Sequence, residues 1–241
     1  MQNNVLKYSD IFNQDTLNIF TDASVMHVEN ETIGCPGVVI VTCDNNGIPY
    51  VLNTYSYINN HSTNNDSEIK AIYSGILCGL GYRNNFKRIN LFSDSNICIQ
   101  GLKDWIFNWI YCIQNNTMYS SSGQPVANQM TFMSIVHTIV NSNFEINLFH
   151  QKGHVNINSQ KSLDKARNSM IKSNRVKDID MDLVIQLSIY NDMVDKLTKK
   201  HLEDYYDTSY TYTEKCKNLF KVEDTNQMIL KIRKYKQLIG V

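Results

Sequence analysis

The sequence predicts an α/β protein, a five-stranded mixed sheet flanked by helices in the order βββαβααβα, with an insertion before the last helix and a helical C-terminal extension. Three observations carry this. Residues 17–57 hold three strand-like runs separated by turn signals. From residue 66 onward, segments of helical period alternate with short apolar runs. The composition is that of a globular chain: 241 residues, 42% hydrophobic, 19% charged, with 23 basic and 23 acidic side chains. That balance excludes disordered, collagen-like and coiled-coil classes. A formal charge of zero argues against holding nucleic acid by bulk positive charge, so any such contact must come from local patches.

The elements follow in order. Leu17 to Asp22 reads as a short strand ending near Ser24. Val38 to Cys43 is a β-branched run, Asp44-Asn45-Asn46-Gly47 is a turn signal, and Tyr50 to Tyr57 resumes the strand pattern, giving an antiparallel meander. Ile69, Ile72, Tyr73, Ile76, Leu77 and Leu80 recur at helical spacing, predicting a helix over 66–81. Arg88 to Asp94 is a fourth strand, and Leu102, Trp105, Ile106 and Trp109 predict a helix over 97–110. The i, i+4 spacing of the two tryptophans suits either a place in the core or one ring against a ligand. Residues 114–127 are polar and irregular, 128–141 has a helical pattern, and Glu145 to His150 alternates as a fifth strand. The polar stretch 155–190 contains helical segments, 183–200 is a stronger helix, and 226–238 is amphipathic with Lys231, Arg233, Lys234 and Lys236. That last helix would dock on the body, on a partner or on nucleic acid.

The six cysteines form no C-x-x-C pair and no zinc spacing with histidine, so free thiols in a reducing compartment are expected. No secretory leader and no run of about 18 apolar residues is found. A cytoplasmic location is therefore expected.

Two strands end in nearly the same words, Asn18-Ile-Phe-Thr-Asp22-Ala-Ser24 and Asn90-Leu-Phe-Ser-Asp94-Ser-Asn96. The crevice at the carboxyl ends of strands in an α/β sheet is where ligands bind. A single Asp there also serves as a turn or helix cap; a matched pair points to a site. Glu68 lies at the margin of the apolar stripe containing Ile72 and Ile76, although Asn65-x-x-Glu68 also has the spacing of a capping box. Asp195 follows Asn191 by one helical turn at the edge of another stripe. Carboxylates gathered without basic partners are stable together only around divalent cations, and all-oxygen ligation favours Mg2+ or Mn2+. His154, just beyond the fifth strand, is either a surface bystander or a group that moves a proton at neutral pH.

Together, Ile19-Phe20-Thr21-Asp22-Ala23-Ser24, Ser62-Thr63-Asn64-Asn65-Asp66-Ser67-Glu68, Leu91-Phe92-Ser93-Asp94-Ser95-Asn96, Lys152-Gly153-His154 and Asn191-Asp192-Met193-Val194-Asp195 resemble the type 1 ribonuclease H (ribonuclease HI) family over roughly residues 17–200. The resemblance implies a ribonuclease H-like fold and an endonuclease that hydrolyses the RNA strand of RNA–DNA hybrids with two Mg2+ ions, for which Mn2+ can substitute. It implies that Asp22, Glu68, Asp94 and Asp195 hold the metal. His154 would assist product release or proton transfer. Ser24, Thr63, Asn64, Asn65 and Asn96 would contact substrate, the two amides before Glu68 reading 2′-hydroxyls. On this reading residues 1–200 are one catalytic domain with an insertion over about 155–190, and 201–241 is an extension without a family counterpart.

Three departures stand out. Residues 105–128 hold no Lys or Arg where many members carry a basic handle. The 155–190 segment separates His154 from Asp195, and the stretch 152–177 sets seven basic residues against Asp164 alone, so it reads either as a replacement for that handle that contacts phosphates, Lys165 and Arg167 included, or as a solvated helical face. Finally, Ser162-Leu163-Asp164 faintly echoes the family's final helix, which makes Asp164 a rival to Asp195. Two other functions stay open: a catalytically inactive hybrid-binding module, and a DNA-directed nuclease of the same fold.

Overall fold

The computed structural model describes residues 5–28, 31–208, 234–236 and 238–239. Its main sheet is built from β1 (Thr16–Val28), β2 (Glu31–Cys43), β3 (Pro49–Ser56), β4 (Arg88–Ser93) and β5 (Glu145–His150). In space these run β3-β2-β1-β4-β5, with the two-residue strand Asn59–Asn60 pairing the far end of β2. The meander β1–β3 is antiparallel, whereas β1, β4 and β5 are mutually parallel. Besides a single turn at Tyr8–Ile11, the helices among the described residues are α1 (Asn64–Gly81), α2 (Asn96–Lys103), α3 (Gln129–Ser142), α4 (Gln160–Asn174) and α5 (Met181–Thr208).

Both faces of the sheet are covered, and strand alternation sorts side chains between them. Leu17, Ile19, Val38, Ile40 and Leu91 face one core with α1, α2 and α3. Phe20, Val39, Val41 and Phe92 face the other, against Leu163 of α4 and Leu183, Leu187 and Val194 of α5. An Asn-x-Phe spacing recurs on the three parallel strands in register. Asn18, Asn90 and Asn147 form a side-chain ladder with 3.1 Å hydrogen bonds, satisfying buried amides. Phe20, Phe92 and Phe149 stack with centroids 5.0 and 5.1 Å apart. These rungs lock the register of β1 and β4 just before Asp22, which lies midway along β1 because that strand runs on to Val28 and not to the expected end near Ser24, and just before Asp94, which follows the last residue of β4.

Gly37 sets how closely α5 approaches. It pairs with Asp22 across β1 and β2, and a Cβ on it would fall 2.3 Å from Cγ2 of Thr198. Only a bare backbone lets α5 lie on the sheet beside Asp22.

Several of these segments are arranged differently from the sequence-based expectation. The 97–110 helix is instead α2 to Lys103, a 3-10 turn at Trp105–Asn108, and a hairpin of Ile110–Cys112 with Thr117–Tyr119. Trp109 adopts extended backbone and meets Phe132 edge-on at 5.1 Å, while Trp105 stays exposed, so the pair shares no face. The cap of α1 is Thr63, whose hydroxyl accepts the Asp66 N–H, and Asn65 lies inside the helix. The proposed boundary at residue 200 falls within continuous α5. Finally, Arg167 is taken up in structure, its guanidinium donating to Asp178 at 2.6 Å and to the Ile179 carbonyl at 2.8 Å.

Of the 226–238 helix, 226–233 and 237 lie outside the described residues, as does Cys216. Residues 234–236 are helical, and Tyr235 and Ile239 are buried in the α1–α3 core, so this end docks on the body. The described cysteines are free thiols. No helix among the described residues is long and apolar enough to cross a membrane.

Candidate active site

Asp22 leaves β1 on the α5 side, two residues after Phe20, and Asp94 follows the last residue of the adjacent parallel strand β4. Glu68 comes from the first turns of α1, whose start is fixed by the Thr63 cap and by Ser67, bonded to Ser62 at 2.6 Å. Oxygen atoms of Asp22, Glu68 and Asp94 all lie within 4.8 Å of one another. They line a 470 Å³ cavity shared with Ser24, Asn64, His154, Asp195 and Lys199.

Like charges in a low-dielectric site cannot all ionise freely. Burial, then the neighbouring Asp94 charge, lifts the Asp22 carboxyl from its ordinary 3.8 to about 7. Burial and then Asp22 hold Glu68 well above the usual carboxylate range. Asp94 is also raised, chiefly by burial, although Asn191 and His154 draw it back. Oε2 of Glu68 is closed off from solvent and meets no hydrogen-bond donor. A buried oxygen without a donor, inside an all-oxygen acidic cluster, fits a hard divalent cation. Asp22, Glu68 and Asp94 are thus a group able to hold metal.

Asp195 lines the same cavity outside this tight triplet. Its Oδ2 accepts from Nζ of Lys199 at 2.7 Å. Lys199 is a basic partner absent from the sequence-based expectation, although its i+4 position from Asp195 makes it legible. The rival Asp164 is exposed on α4, bonded to Gln160 and away from the cavity.

The loop after β5 presses against the site. A Cβ on Gly153 would lie 2.1 Å from Oδ2 of Asp94, so glycine is required there. His154 follows with φ of 53°, a left-handed conformation that costs a non-glycine residue on the order of 1 kcal/mol. Asn191, one turn before Asp195, donates to Asp94 at 3.4 Å and accepts from the Gln151 amide, tying loop, strand end and helix together. Neither amide is among the site residues that the resemblance implies, although Asn191 opens the family-like segment that ends at Asp195 and stands one turn before it.

The remaining residues divide. Ser24 bonds Thr198 at 2.7 Å within the cavity, and Asn64 stands at its wall. Thr63 and Asn65 are exposed just outside it. Asn96 lines a neighbouring cavity instead.

A family model described as RNase H matches residues 14–172, well over half of the chain. The chain belongs to the RNase H family. The match takes in Asp22, Glu68, Asp94 and His154 and ends before Asp195, whose placement rests on geometry. The chain is 33% identical over 96 residues to a ribonuclease HI of Haemophilus influenzae, covering 39% of this chain and 54% of that protein. It therefore spans about half the length of the curated relatives it matches. Among solved structures it is similar to a foamy viral protease-reverse transcriptase in complex with RNA/DNA hybrid, with 13% identity and a TM-score of 0.47, covering 66% of this chain and 20% of that one. It is also similar to the PFV RNase H domain, with 17% identity and a TM-score of 0.46, covering 67% and 96%. The mixed sheet with helices on both faces is the ribonuclease H-like architecture that the sequence predicts.

Proposed function

We propose that the protein is an endoribonuclease that hydrolyses the RNA strand of RNA–DNA hybrids. The observation that carries this reading is the Asp22–Glu68–Asp94 cluster, oxygens within 4.8 Å, in a chain of the RNase H family. Asp22, Glu68, Asp94 and Asp195 would hold two Mg2+ ions, or Mn2+ in their place. Such ions, when bound, supply charge against the phosphodiester oxygens and acidify an attacking water.

The chain's own groups do the rest. Asn191 and Gly153 fix the Asp94 carboxylate, the first by a hydrogen bond and the second by close approach. The imidazole of His154, exposed beside Asp94, takes up and releases a proton near the departing oxygen. Asn64 and Asn65, at the start of α1, offer amides that both donate to and accept from 2′-hydroxyls, the groups that separate RNA from DNA. The Thr63 oxygen already accepts the Asp66 N–H, which leaves its hydroxyl hydrogen to donate to a phosphate. Ser24 and Asn96 extend these contacts on either side. We place the protein in the cytoplasm, a reducing setting that suits the free thiols of its described cysteines.

The test is cleavage of end-labelled RNA–DNA hybrid, double-stranded RNA and double-stranded DNA in Mg2+ or Mn2+. Cutting confined to the RNA of the hybrid is expected. Cutting of DNA would replace this reading with a DNA-directed nuclease, and binding without cutting would replace it with a binding module.

A further inference from the structure

A second cavity, of 560 Å³, adjoins the first and shares Asp94 as a wall. Its lining includes Asn96 and Gln100 of α2, Lys152 after β5, and Lys172, Ser173 and Arg175 at the end of α4. Arg175 pairs with Asp104 at 2.8 Å. Lys152 and Lys172 make no ion pair or hydrogen bond among the described residues, although both are exposed beside the acidic site.

The cationic end of α4 is held rigidly. Asn174 and His150 exchange two hydrogen bonds, His150 N–H donating at 2.9 Å and Asn174 Nδ2 donating back to the His150 carbonyl at 2.6 Å. Ser173 bonds the buried His150 ring at 2.8 Å. Cations in the last turn of a helix ordinarily answer its carbonyl dipole. That accounts for Lys172 and Arg175, but not for Lys152, which arrives from a different segment. Three cations line this groove together with Asp94 and with Asp104, which Arg175 already pairs, and the two unpaired ammonium groups of Lys152 and Lys172 are left to complement a polyanion.

We infer that this groove is a second nucleic-acid subsite, in which Lys152 and Lys172 hold the phosphodiester backbone of the hybrid beside the cut. The inference rests on the hybrid-cleaving reading and deepens it, moving the phosphate grip from Lys165 and Arg167 to residues that converge on the site. Arg167 cannot serve, being bound to Asp178 and Ile179. Lys165 lies outside the groove.

The experiment is fluorescence anisotropy of a labelled RNA–DNA hybrid on the full chain in EDTA across a KCl series. Variants are Lys152→Glu with Lys172→Glu, the milder Lys152→Gln with Lys172→Gln, and Lys161→Glu with Lys165→Glu as a control on the same segment. Each lost phosphate contact lowers the log–log salt slope by about 0.9. The groove variants should lose about 1.8 in slope and bind at least roughly tenfold more weakly at low salt, the Gln pair serving if the Glu pair fails to fold. The control pair should match wild type. Groove variants with unchanged slope and affinity, or a control pair that falls equally, overturn the inference. Wild-type cleavage in Mg2+ is measured alongside. Loss of the groove effect in a protein that cuts hybrid refutes the subsite alone, and a groove effect in a protein that never cuts refutes the ribonuclease reading alone.

Discussion

Replacing Asp22 with Asn should stabilise the metal-free protein while abolishing its activity. In the unfolded chain this carboxyl ionises near 3.8, whereas in the folded site burial and Asp94 hold its proton until about pH 7. Its contribution to stability is therefore fully present below about pH 4 and is lost as pH rises to about 7. At about 1.36 kcal/mol per pH unit, the loss reaches about 4 kcal/mol, a large share of a typical domain's stability. Asn cannot ionise, is nearly isosteric, and keeps an oxygen to accept the Ala23 N–H that Asp22 accepts at 2.7 Å. Urea denaturation in EDTA should show Asp22→Asn more stable than wild type by up to about 4 kcal/mol at pH 8 and by less than about 1 kcal/mol at pH 4. Added Mg2+ should close the gap at pH 8 by stabilising only the wild type. A variant no more stable at pH 8, or a gap that is the same at both pH values, would refute the claim that uncompensated carboxylates strain this site.

Other outcomes follow from the same geometry. Gly153→Ala forces a Cβ against Asp94 and should lower hybrid cleavage on the order of a hundredfold with a small change in melting temperature; unchanged kcat would contradict the close approach. Gly37→Ala pushes α5 away from β2 and should cost about 1–3 kcal/mol in urea denaturation, whereas a neutral result would mean that α5 adjusts freely. Lys199→Met removes the ammonium that occupies Asp195 and should reduce the Mg2+ concentration for half-maximal cleavage several-fold; a higher requirement would show that Lys199 helps to bind substrate.

Much of this arrangement is written locally in the chain. The twin words ending at Asp22 and Asp94 mark parallel neighbours because Asn and Phe stand at matched positions in each, and Asn147 with Phe149 completes the set on β5. Glu68 is legible from its place on the α1 stripe. What local pattern could not show is decided by distant partners. Trp105 to Trp109 has helical spacing, yet Phe132 on α3 captures Trp109 and the chain turns into a hairpin. The charge of the 152–177 segment is plain in the sequence, but not that Asp178 neutralises Arg167 or that His150 anchors the end carrying Lys172. The spacing of Asn65 from Glu68 suggests a cap at Asn65, but Thr63 two residues earlier is as competent and is the residue that accepts the Asp66 N–H.

The most direct test is the rate of RNA cleavage in a labelled RNA–DNA hybrid by wild type and by Asp22→Asn, Glu68→Gln, Asp94→Asn, Asp195→Asn and Asp164→Asn in Mg2+. Cleavage lost in the first four and kept in Asp164→Asn is the expected result. Full activity in Asp195→Asn with loss in Asp164→Asn would place the fourth carboxylate on α4 and contradict the site described for this fold.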